Sequence, residues 1–360
     1  MHPMKTNLIL IFIFSTILVS EAQKKADIDF SSSSSSYVLQ KAEEEKKPIF
    51  LYAYSPSCHF CQEMEKGVFT GDAVANFYNT RFINYKIDIE DGGKGNALAE
   101  KYAISSFPTY LYFNANGELM HQSNSAKPAE EFILDGKNAL SPNKSLFSLK
   151  TRYDRGDRSL TLLYDYSNAL ASYDHKDSPE EQVVREYLET QSAQQLESEK
   201  NLKYIFTRHL SFNAPTTQYF LANQTKFAAL FGEDEVKYKA EKTLTNTASL
   251  AGHEDDTSLF KQVERCITAN FTDTSKLASL VKIHFYQGQG NWAKYAKATL
   301  KYGSGPGKND WRTMHNTAHY LKYFAQEIPT LEAGVQLMEQ VIDLEKSYAR
   351  SLYTHSFSTV

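Results

Sequence analysis

The stretch PIFLYAYSPSCHFC, residues 48–61, decides the fold of the first part of this chain. Its first seven residues are almost all apolar or aromatic, and they predict a buried β-strand over residues 49–54. Its last four residues place Cys58 and Cys61 on either side of two others, where a helix is expected to begin. Because a helix N-terminus stabilises a thiolate on the first of two such sulfurs, the pattern predicts that Cys58 is a nucleophile.

A second motif, FPT at residues 107–109, opens another strand-like run. An X-Pro pair is by itself most often an ordinary turn, but together with a cysteine pair it indicates a thiol-disulfide site. A Cys-x-x-Cys pair can also be half of a zinc site. Zinc needs four ligands, however, and a chain with three cysteines has no second pair. The sequence therefore favours redox chemistry, and we expect neither a metal nor a cofactor.

Helix-like and strand-like segments alternate from residue 37 to residue 140. Within this range, Asn116-Gly117 between two strand-like runs is a strong hairpin signal. The alternation predicts one α/β domain. Its predicted strands are 49–54, 82–89, 110–114 and 118–121; its predicted helices are 37–45, a helix from 58 that resumes over 72–79, 97–102 and 128–140.

Over residues 37–140 the chain resembles the thioredoxin superfamily. The segment CHFCQEMEKGVF, residues 58–69, is most similar to the C-terminal domain of the thiol-disulfide interchange protein DsbD and to related exported thioredoxin-like proteins. The two cysteines, Met64, Glu65 and Phe69 carry that similarity. The resemblance implies an α/β thioredoxin-like domain, with a central mixed sheet flanked by helices and with Pro108 in the cis form beside the cysteine pair.

Sulfur chemistry suggests how such a pair would act. A Cys58 thiolate attacks a substrate disulfide, and Cys61 then attacks Cys58 to release the reduced product. The implied cis bond at Pro108 leaves the neighbouring backbone exposed, so Phe107 and Thr109 are expected to flank the site where a substrate strand docks. The same pair permits electron flow in both directions.

Two neighbours of the pair bear on its reactivity. His59, if protonated near the thiolate, would favour the oxidant direction, but it can equally point into solvent. In the DsbD-like family an acid corresponding to Glu65 sits under the pair and could relay the resolving proton; a solvated surface acid is the alternative. The sequence also departs from thioredoxins at Tyr52, Ser57 and Gln62, where the family carries Asp, Trp and Lys, and this leaves the redox poise open.

The second half of the chain has a helical pattern. Apolar residues at helical spacing mark stripes over 277–285 and 292–300 on either side of the loop 287–291, followed by helices near 311–324 and 331–348. The spacing predicts an all-α helical-repeat domain over 144–350 that resembles a degenerate tetratricopeptide-like array, with a plain helical bundle as the alternative. Residues 351–360 read as a polar tail.

The N-terminus has the pattern of an export signal. A lysine is followed by an apolar run over residues 8–19 and by small residues at positions 20 and 22, which predicts a signal peptide over 1–22 cleaved after Ala22. A short membrane anchor is the alternative, although the run is brief for a span. Residues 23–36, with an unbroken serine run, are expected to be a flexible lead-in.

These patterns lead to two hypotheses of different class. The first is an exported, periplasmic or secreted thiol-disulfide oxidoreductase, more a reductase than an oxidase, whose partners are thiols and disulfides of exported proteins and an upstream reductant protein. The second is a non-enzymatic scaffold whose helices hold a partner. A net charge of -4 argues against nucleic acid, and we expect no membrane span after signal cleavage. Cys266 reads as a buried helix position rather than a second redox centre.

Overall fold

The structure is a computed structural model that describes residues 26–357, apart from residues 174, 176 and 273. The chain divides into two compact units that meet in sequence between Ser178 and Pro179. The expected signal peptide, 1–22, lies outside the described residues. The two units are therefore described separately.

The first unit is built on a five-stranded mixed sheet, with the strand order β1-β3-β2-β4-β5. Strands β1, β3 and β2 run parallel to one another, whereas β4 and β5 are antiparallel to their neighbours. This confirms the mixed sheet implied by the resemblance. The strands are β1 Phe30–Ser31, β2 Ile49–Tyr54, β3 Ile83–Asp88, β4 Thr109–Phe113 and β5 Leu119–Asn124.

Helices flank the sheet. The first of them starts where the Ser34 side chain accepts a hydrogen bond from the backbone amide of Tyr37, and it ends at Lys46 in the left-handed conformation. The helices are α1 Ser35–Glu45, α2 His59–Glu63, which continues as one π-helical turn over Met64–Val68, α3 Asp72–Arg81, α4 Lys94–Lys101, α5 Ala129–Ala139, α6 Leu146–Asp154 and α7 Leu160–Leu170.

Strand β2 is buried on both faces because helices cover both sides of the sheet. Successive side chains of a strand point to opposite faces, so Phe50 and Tyr52 join one core and Leu51 and Ala53 join the other. The first of these cores is rich in aromatic rings and also holds Cys61. The cysteine pair thus follows a strand whose first five residues are buried.

The Ser-rich segment is not a flexible lead-in over its described part. Ile28 is buried in the aromatic core, and β1 pairs with residues 84–85 of β3. Asn79 reinforces this edge by accepting a hydrogen bond from the amide of Asp29 at 2.8 Å. Two alternating apolar residues, Ile28 and Phe30, precede the serine run, and they are enough to add a short edge strand.

The first unit also extends beyond residue 140, where the sequence analysis placed the domain boundary. Helices α6 and α7 belong to it, and the amide of Leu146 at the start of α6 donates a hydrogen bond to His121 on β5 at 2.9 Å. Helical periodicity identifies an amphipathic helix but not the core against which it packs. For that reason the sequence pattern assigned both helices to the helical domain.

Every secondary-structure element in the described part of the second unit is a helix, as the sequence pattern predicts. The loop between α15 and α16 matches the expected helical hairpin, but helix lengths vary from 4 residues in α9 to 30 in α18. Helices α8 to α18 are Glu180–Glu189, Ala193–Leu196, Glu199–Phe206, Pro215–Ala222, Gln224–Phe231, Glu233–His253, Thr257–Asn270, Thr274–Gly288, Trp292–Gly303, Trp311–Phe324 and Ile328–Phe357.

The end of the chain differs from the expected polar tail. The backbone of α18 remains helical to Phe357, so most of the segment 351–360 continues the last helix. Among the helices of residues 26–357, none combines the length and apolar character that a membrane crossing requires.

Candidate active site

The cysteine pair lies where β2 passes into α2. Cys58 is the N-cap residue of α2, and its sulfur accepts a hydrogen bond from the amide of Cys61 at 3.1 Å. The turn before it is held by the amide of Cys58, which donates to the carbonyl of Ser55 at 3.1 Å. The first sulfur therefore sits at the positive end of the helix, where a thiolate is stabilised.

The two thiols differ in accessibility. Both are free; Cys58 is half-buried, whereas Cys61 is 1% exposed. Burial, assisted by the hydrogen bond with Cys58, raises the pKa of Cys61 to about 12, against smaller lowering effects from the Ser55 amide and the Tyr52 hydroxyl. Cys58 is thus the sulfur that a substrate can reach, and Cys61 remains a protonated thiol at neutral pH.

The FPT motif is brought next to the pair. The Phe107–Pro108 peptide bond is cis, as the resemblance implies, and Pro108 is buried. The Cys58 thiol points to the carbonyl oxygen of Phe107, with 3.7 Å between the sulfur and that oxygen. Strand β4 begins only at Thr109, which pairs with Ala53 of β2, so the backbone of Phe107 lies just outside the ladder.

The imidazole of His59 is exposed and lies beside a carboxylate. Its side chain is 79% exposed, and its Nε2 lies 3.1 Å from a carboxylate oxygen of Glu63, one turn further along. Phe60, the other residue between the cysteines, is 57% exposed. The structure thus supplies an apolar ring beside the accessible thiol and places the His59 ring in solvent.

Glu65 lies near the pair but is engaged elsewhere. Its carboxylate forms an ion pair with Lys86 at 3.2 Å. Lys86 in turn lies over the ring of Tyr54, 5.3 Å from its centroid. Among the described residues no hydrogen bond joins Glu65 to either cysteine, so its role as a proton relay stays a prediction.

Three polar groups lie behind the pair; sequence reasoning noted Tyr52 only as a departure from the family and missed Ser55 and Glu90. The hydroxyl of Tyr52 donates to the carbonyl of Cys61 at 3.3 Å, and burial raises the pKa of that phenol. The hydroxyl of Ser55, which is fully buried, donates to the carboxylate of Glu90. Ser55 and Glu90 follow the parallel strands β2 and β3, and polar residues just after neighbouring parallel strands meet at one sheet edge, which was the available signal.

A buried carboxylate on α5 was also missed. Asp135 accepts hydrogen bonds from Tyr112 at 3.1 Å and from Ser123, and one of its oxygens lies 3.1 Å from Nε2 of His121. Burial alone would raise its pKa, but the charge of Lys127 and the hydrogen bonds outweigh burial and lower the pKa to about 2. This cluster joins α5 to β4 and β5.

The described part of the chain contains no arrangement of side chains suited to binding a metal ion. There, no three His, Cys, Asp or Glu side chains converge in a way that would hold a metal ion. The arrangement offers instead two free thiols of unequal accessibility, a helix N-terminus and an apolar rim. Such a group of residues can exchange disulfides.

Comparison with known proteins places this geometry in context. A family model described as a thioredoxin-like domain matches residues 36–134. Among curated proteins, B0495.5 of Caenorhabditis elegans is 36% identical over 68 residues, which are 19% of this chain and 9% of that protein. The chain thus spans about a tenth of the length of this relative.

Solved structures similar to the chain cover its first third. A candidate disulphide-isomerase of Bacteroides thetaiotaomicron is 31% identical, with 33% of this chain and 97% of that one covered and a TM-score of 0.31. A structure titled DsbH oxidoreductase is 18% identical, with 34% and 92% covered and a TM-score of 0.30. A thioredoxin of Thermus thermophilus is 21% identical, with 30% and 85% covered and a TM-score of 0.28.

Proposed function

Since residues 36–134 form a thioredoxin-like domain, we propose that this protein is an exported thiol-disulfide oxidoreductase that reduces disulfides of other exported proteins. One observation carries the proposal. The half-buried sulfur of Cys58 accepts the amide of Cys61 at the start of a helix, while the second sulfur lies buried behind it. This arrangement gives one thiol for attack and one thiol for resolution.

The reaction needs two exchanges. The Cys58 thiolate attacks one sulfur of the client disulfide; a bond forms between Cys58 and that sulfur, and the other client sulfur leaves as a thiolate. Cys61 then gives up its proton and attacks Cys58, and the first client sulfur leaves as a second thiolate. The client gains two electrons, and Cys58 and Cys61 become a disulfide. An upstream reductant protein must return two electrons to complete the cycle.

The direction of electron flow depends on how strongly the surroundings of Cys58 stabilise its thiolate. A strongly stabilised reduced form makes an oxidant, as a protonated imidazole next to the sulfur would do. Here the His59 ring pairs with Glu63, and among the described residues the Cys58 sulfur accepts one hydrogen bond, from the backbone amide of Cys61. This environment supports the reductase direction.

Export is the second part of the proposal. The apolar run over residues 8–19 and the small residues at 20 and 22 support a cleaved signal and a periplasmic or secreted location. Disulfides persist in such compartments, so a reductase there has clients. The clients we propose are exported proteins whose disulfides can reach the rim formed by Phe60 and Phe107.

The activity is tested by turnover of insulin disulfides with dithiothreitol as the electron source. Cys58→Ser should abolish turnover above the uncatalysed rate, because no other accessible thiol lies at a helix N-terminus in the described chain. Cys266→Ser is the matched control: Cys266 is 8% exposed, and burial raises its pKa, so its loss should leave turnover unchanged. Unchanged turnover in Cys58→Ser would contradict the assignment.

A trapping variant separates the enzyme from the scaffold hypothesis. Cys61→Ser cannot resolve the mixed disulfide, so it should accumulate a covalent adduct at Cys58 when offered oxidised client. In the reduced wild type, iodoacetamide at neutral pH should also label Cys58 before Cys266. Equal labelling of the two, with no adduct in Cys61→Ser, would instead favour a non-enzymatic binding protein.

A further inference from the structure

The second unit contains a cleft lined by the segment that follows α10, by helices α11 and α13, and by Leu259 of α14. Its volume is about 850 Å³. This volume is within the usual range of small-molecule sites, which is roughly 300–1,000 Å³. Much of the wall is apolar and comes from Phe206, Phe220, Tyr238, Leu250 and Leu259.

One cation in this cleft forms no direct ion pair in the described part of the chain. The ammonium of Lys239 donates to the carbonyl of Arg208 at 3.0 Å and lies 5.2 Å from the ring centre of Phe206, yet no ion pair of Lys239 occurs in the described part of the chain. Burial lowers the pKa of Lys239, although the nearby charge of Glu235 opposes this. Two of its three N–H groups are therefore left for a ligand.

The neighbouring cation, by contrast, is already matched. The guanidinium of Arg208 lies 3.3 Å from a carboxylate oxygen of Glu180, and it stacks 4.2 Å from the ring centre of Tyr204. Lys242 also lines the cleft, and its exposed ammonium adds positive charge at the mouth. The Glu235 carboxylate also lines the cleft, but the ammonium groups of Lys239 and Lys242 together outweigh it, so the cleft carries net positive charge next to an apolar wall.

A buried hydroxyl in the same wall has no partner. Thr216, on α11, is 1% exposed, and its Oγ1 makes no hydrogen bond to any residue that the structure describes. Buried hydroxyl groups without partners are uncommon and costly, and a ligand oxygen would satisfy this one. The hydroxyl and the Lys239 ammonium line the same cleft.

From these four features we propose that the cleft binds a small organic carboxylate with an aliphatic or aromatic body. The carboxylate pairs with Lys239 and accepts a hydrogen bond from Thr216, while the body packs against Phe206 and Phe220. Pairing a half-buried ammonium with an anion offsets the free-energy cost of burying that charge without an ion-pair partner. The cleft belongs to the second unit and the thiol pair to the first, so oxidoreductase activity is not needed for the carboxylate to bind.

The test is calorimetric titration of the full chain at pH 7.5 with octanoate, using octan-1-ol as the uncharged probe. Octanoate should bind with one-to-one stoichiometry and octanol roughly tenfold more weakly or worse. Lys239→Met, which keeps the apolar stem, should weaken octanoate binding by roughly tenfold or more. Thr216→Val should weaken it by a smaller factor.

Control variants make the result decisive. Lys237→Met removes an exposed charge from the same helix outside the cleft and should leave octanoate affinity unchanged. Lys239→Arg restores the charge and should recover most of the affinity. Unchanged tryptophan fluorescence would show that each variant is folded, since Trp292 and Trp311 lie in this unit. The proposal is overturned if octanoate does not bind, or if Lys239→Met binds it as well as the wild type.

Discussion

The two sulfurs of the pair differ because their surroundings differ. Cys58 faces the carbonyl of Phe107 and is partly open, whereas Cys61 is enclosed under the aromatic core. Burial keeps Cys61 protonated until the pH approaches its raised pKa of about 12. The resolving step should therefore become faster as the pH rises from 7 to 9, because the fraction of Cys61 thiolate grows.

The Tyr52 hydroxyl is expected to help Cys61 to ionise. It lowers the pKa of Cys61, although burial dominates that pKa. In a Cys58→Ser background, Tyr52→Phe should slow labelling of Cys61 by iodoacetamide roughly fivefold at pH 8, the effect of one lost hydrogen bond. The rate is measured by mass spectrometry of the quenched protein.

Tyr54→Phe is the matched control for that variant. The Tyr54 ring stacks on Tyr52 with 5.3 Å between ring centres, but no hydrogen bond joins its hydroxyl to the cysteines in the described chain. Its labelling rate should stay close to that of the parent. If both variants slowed labelling equally, packing and not the Tyr52 hydroxyl would control the reactivity of the Cys61 thiol.

Among the elements, α5 depends on one buried carboxylate. Asp135 joins this helix to Ser123 and His121 on β5, and its pKa is lowered to about 2. A folded-state pKa below the unfolded value of about 4 stabilises the protein above pH 4, and this stabilisation is lost as the pH falls toward 2. The difference in pKa corresponds to about 2 kcal/mol at pH 7.

Asp135→Asn should remove this stabilisation. At pH 7 the first unit should lose about 2 kcal/mol, and the difference from the wild type should fall to about half by pH 3. Both tryptophans lie in the second unit, so unfolding of the first is followed in urea by the labelling of buried Cys61. The control Asp154→Asn removes an exposed ion pair with Lys150 and should change stability by less than about 0.5 kcal/mol.

A loss that stays constant from pH 7 to pH 3 would mean that Asp135 acts through packing and not through its charge. An equal loss in Asp154→Asn would mean that general surface charge governs the effect.

The contact between α13 and α15 depends on two glycines. A Cβ at Gly252 would lie 2.1 Å from the carbonyl oxygen of Phe285, and a Cβ at Gly288 would lie 2.0 Å from that of Ser249. Backbone atoms cannot move aside as a flexible side chain can. Gly252→Ala should therefore destabilise the second unit by about 2 kcal/mol, despite the higher helix propensity of alanine.

Tryptophan fluorescence in urea measures this effect because both tryptophans report on the same unit. Gly334→Ala on α18 is the control: its Cβ would meet Leu321 at an ordinary 3.5 Å, so stability should hold or rise by up to about 1 kcal/mol. Equal midpoints for wild type and Gly252→Ala would mean that the two helices can separate at little cost.

Local pattern predicted most elements of the thioredoxin-like part. The strand expected over 49–54 is β2 without change, and the helix expected over 128–140 is α5, Ala129–Ala139. The first is a continuous apolar run, and the second has apolar residues at helical spacing. The short strand β1 was not predicted, because its two residues cannot establish a period and the serine run begins within it.

For the candidate site, sequence reasoning identified the residues that lie together in a motif. It missed the residues that only the folded chain brings together. The cysteine pair and the FPT motif are each a short continuous segment of the sequence, so their chemistry could be inferred directly. Ser55 and Glu90 are 35 positions apart, and Tyr112 and Asp135 are 23 apart. Such pairs become neighbours only through strand order and helix packing, which no local window contains.

For the whole molecule, the described structure limits where a signal peptide can be removed. Ile28 is buried and β1 begins at Phe30, so cleavage beyond residue 28 would remove part of the first core. Cleavage after Ala22, as we propose, leaves both in place. Protein recovered from an exporting host should therefore begin at Gln23.

Intact-mass spectrometry and sequencing of the N-terminal peptide measure this. Ala22→Lys should block processing, because signal peptidase sites require small residues next to the cut. Asp27→Lys alters an exposed side chain beyond the cut and should be processed normally. Recovery of the wild type with Met1 intact would contradict the cleaved signal, and a start beyond Ile28 would contradict the edge strand, because the mature chain would then lack the residue that anchors it.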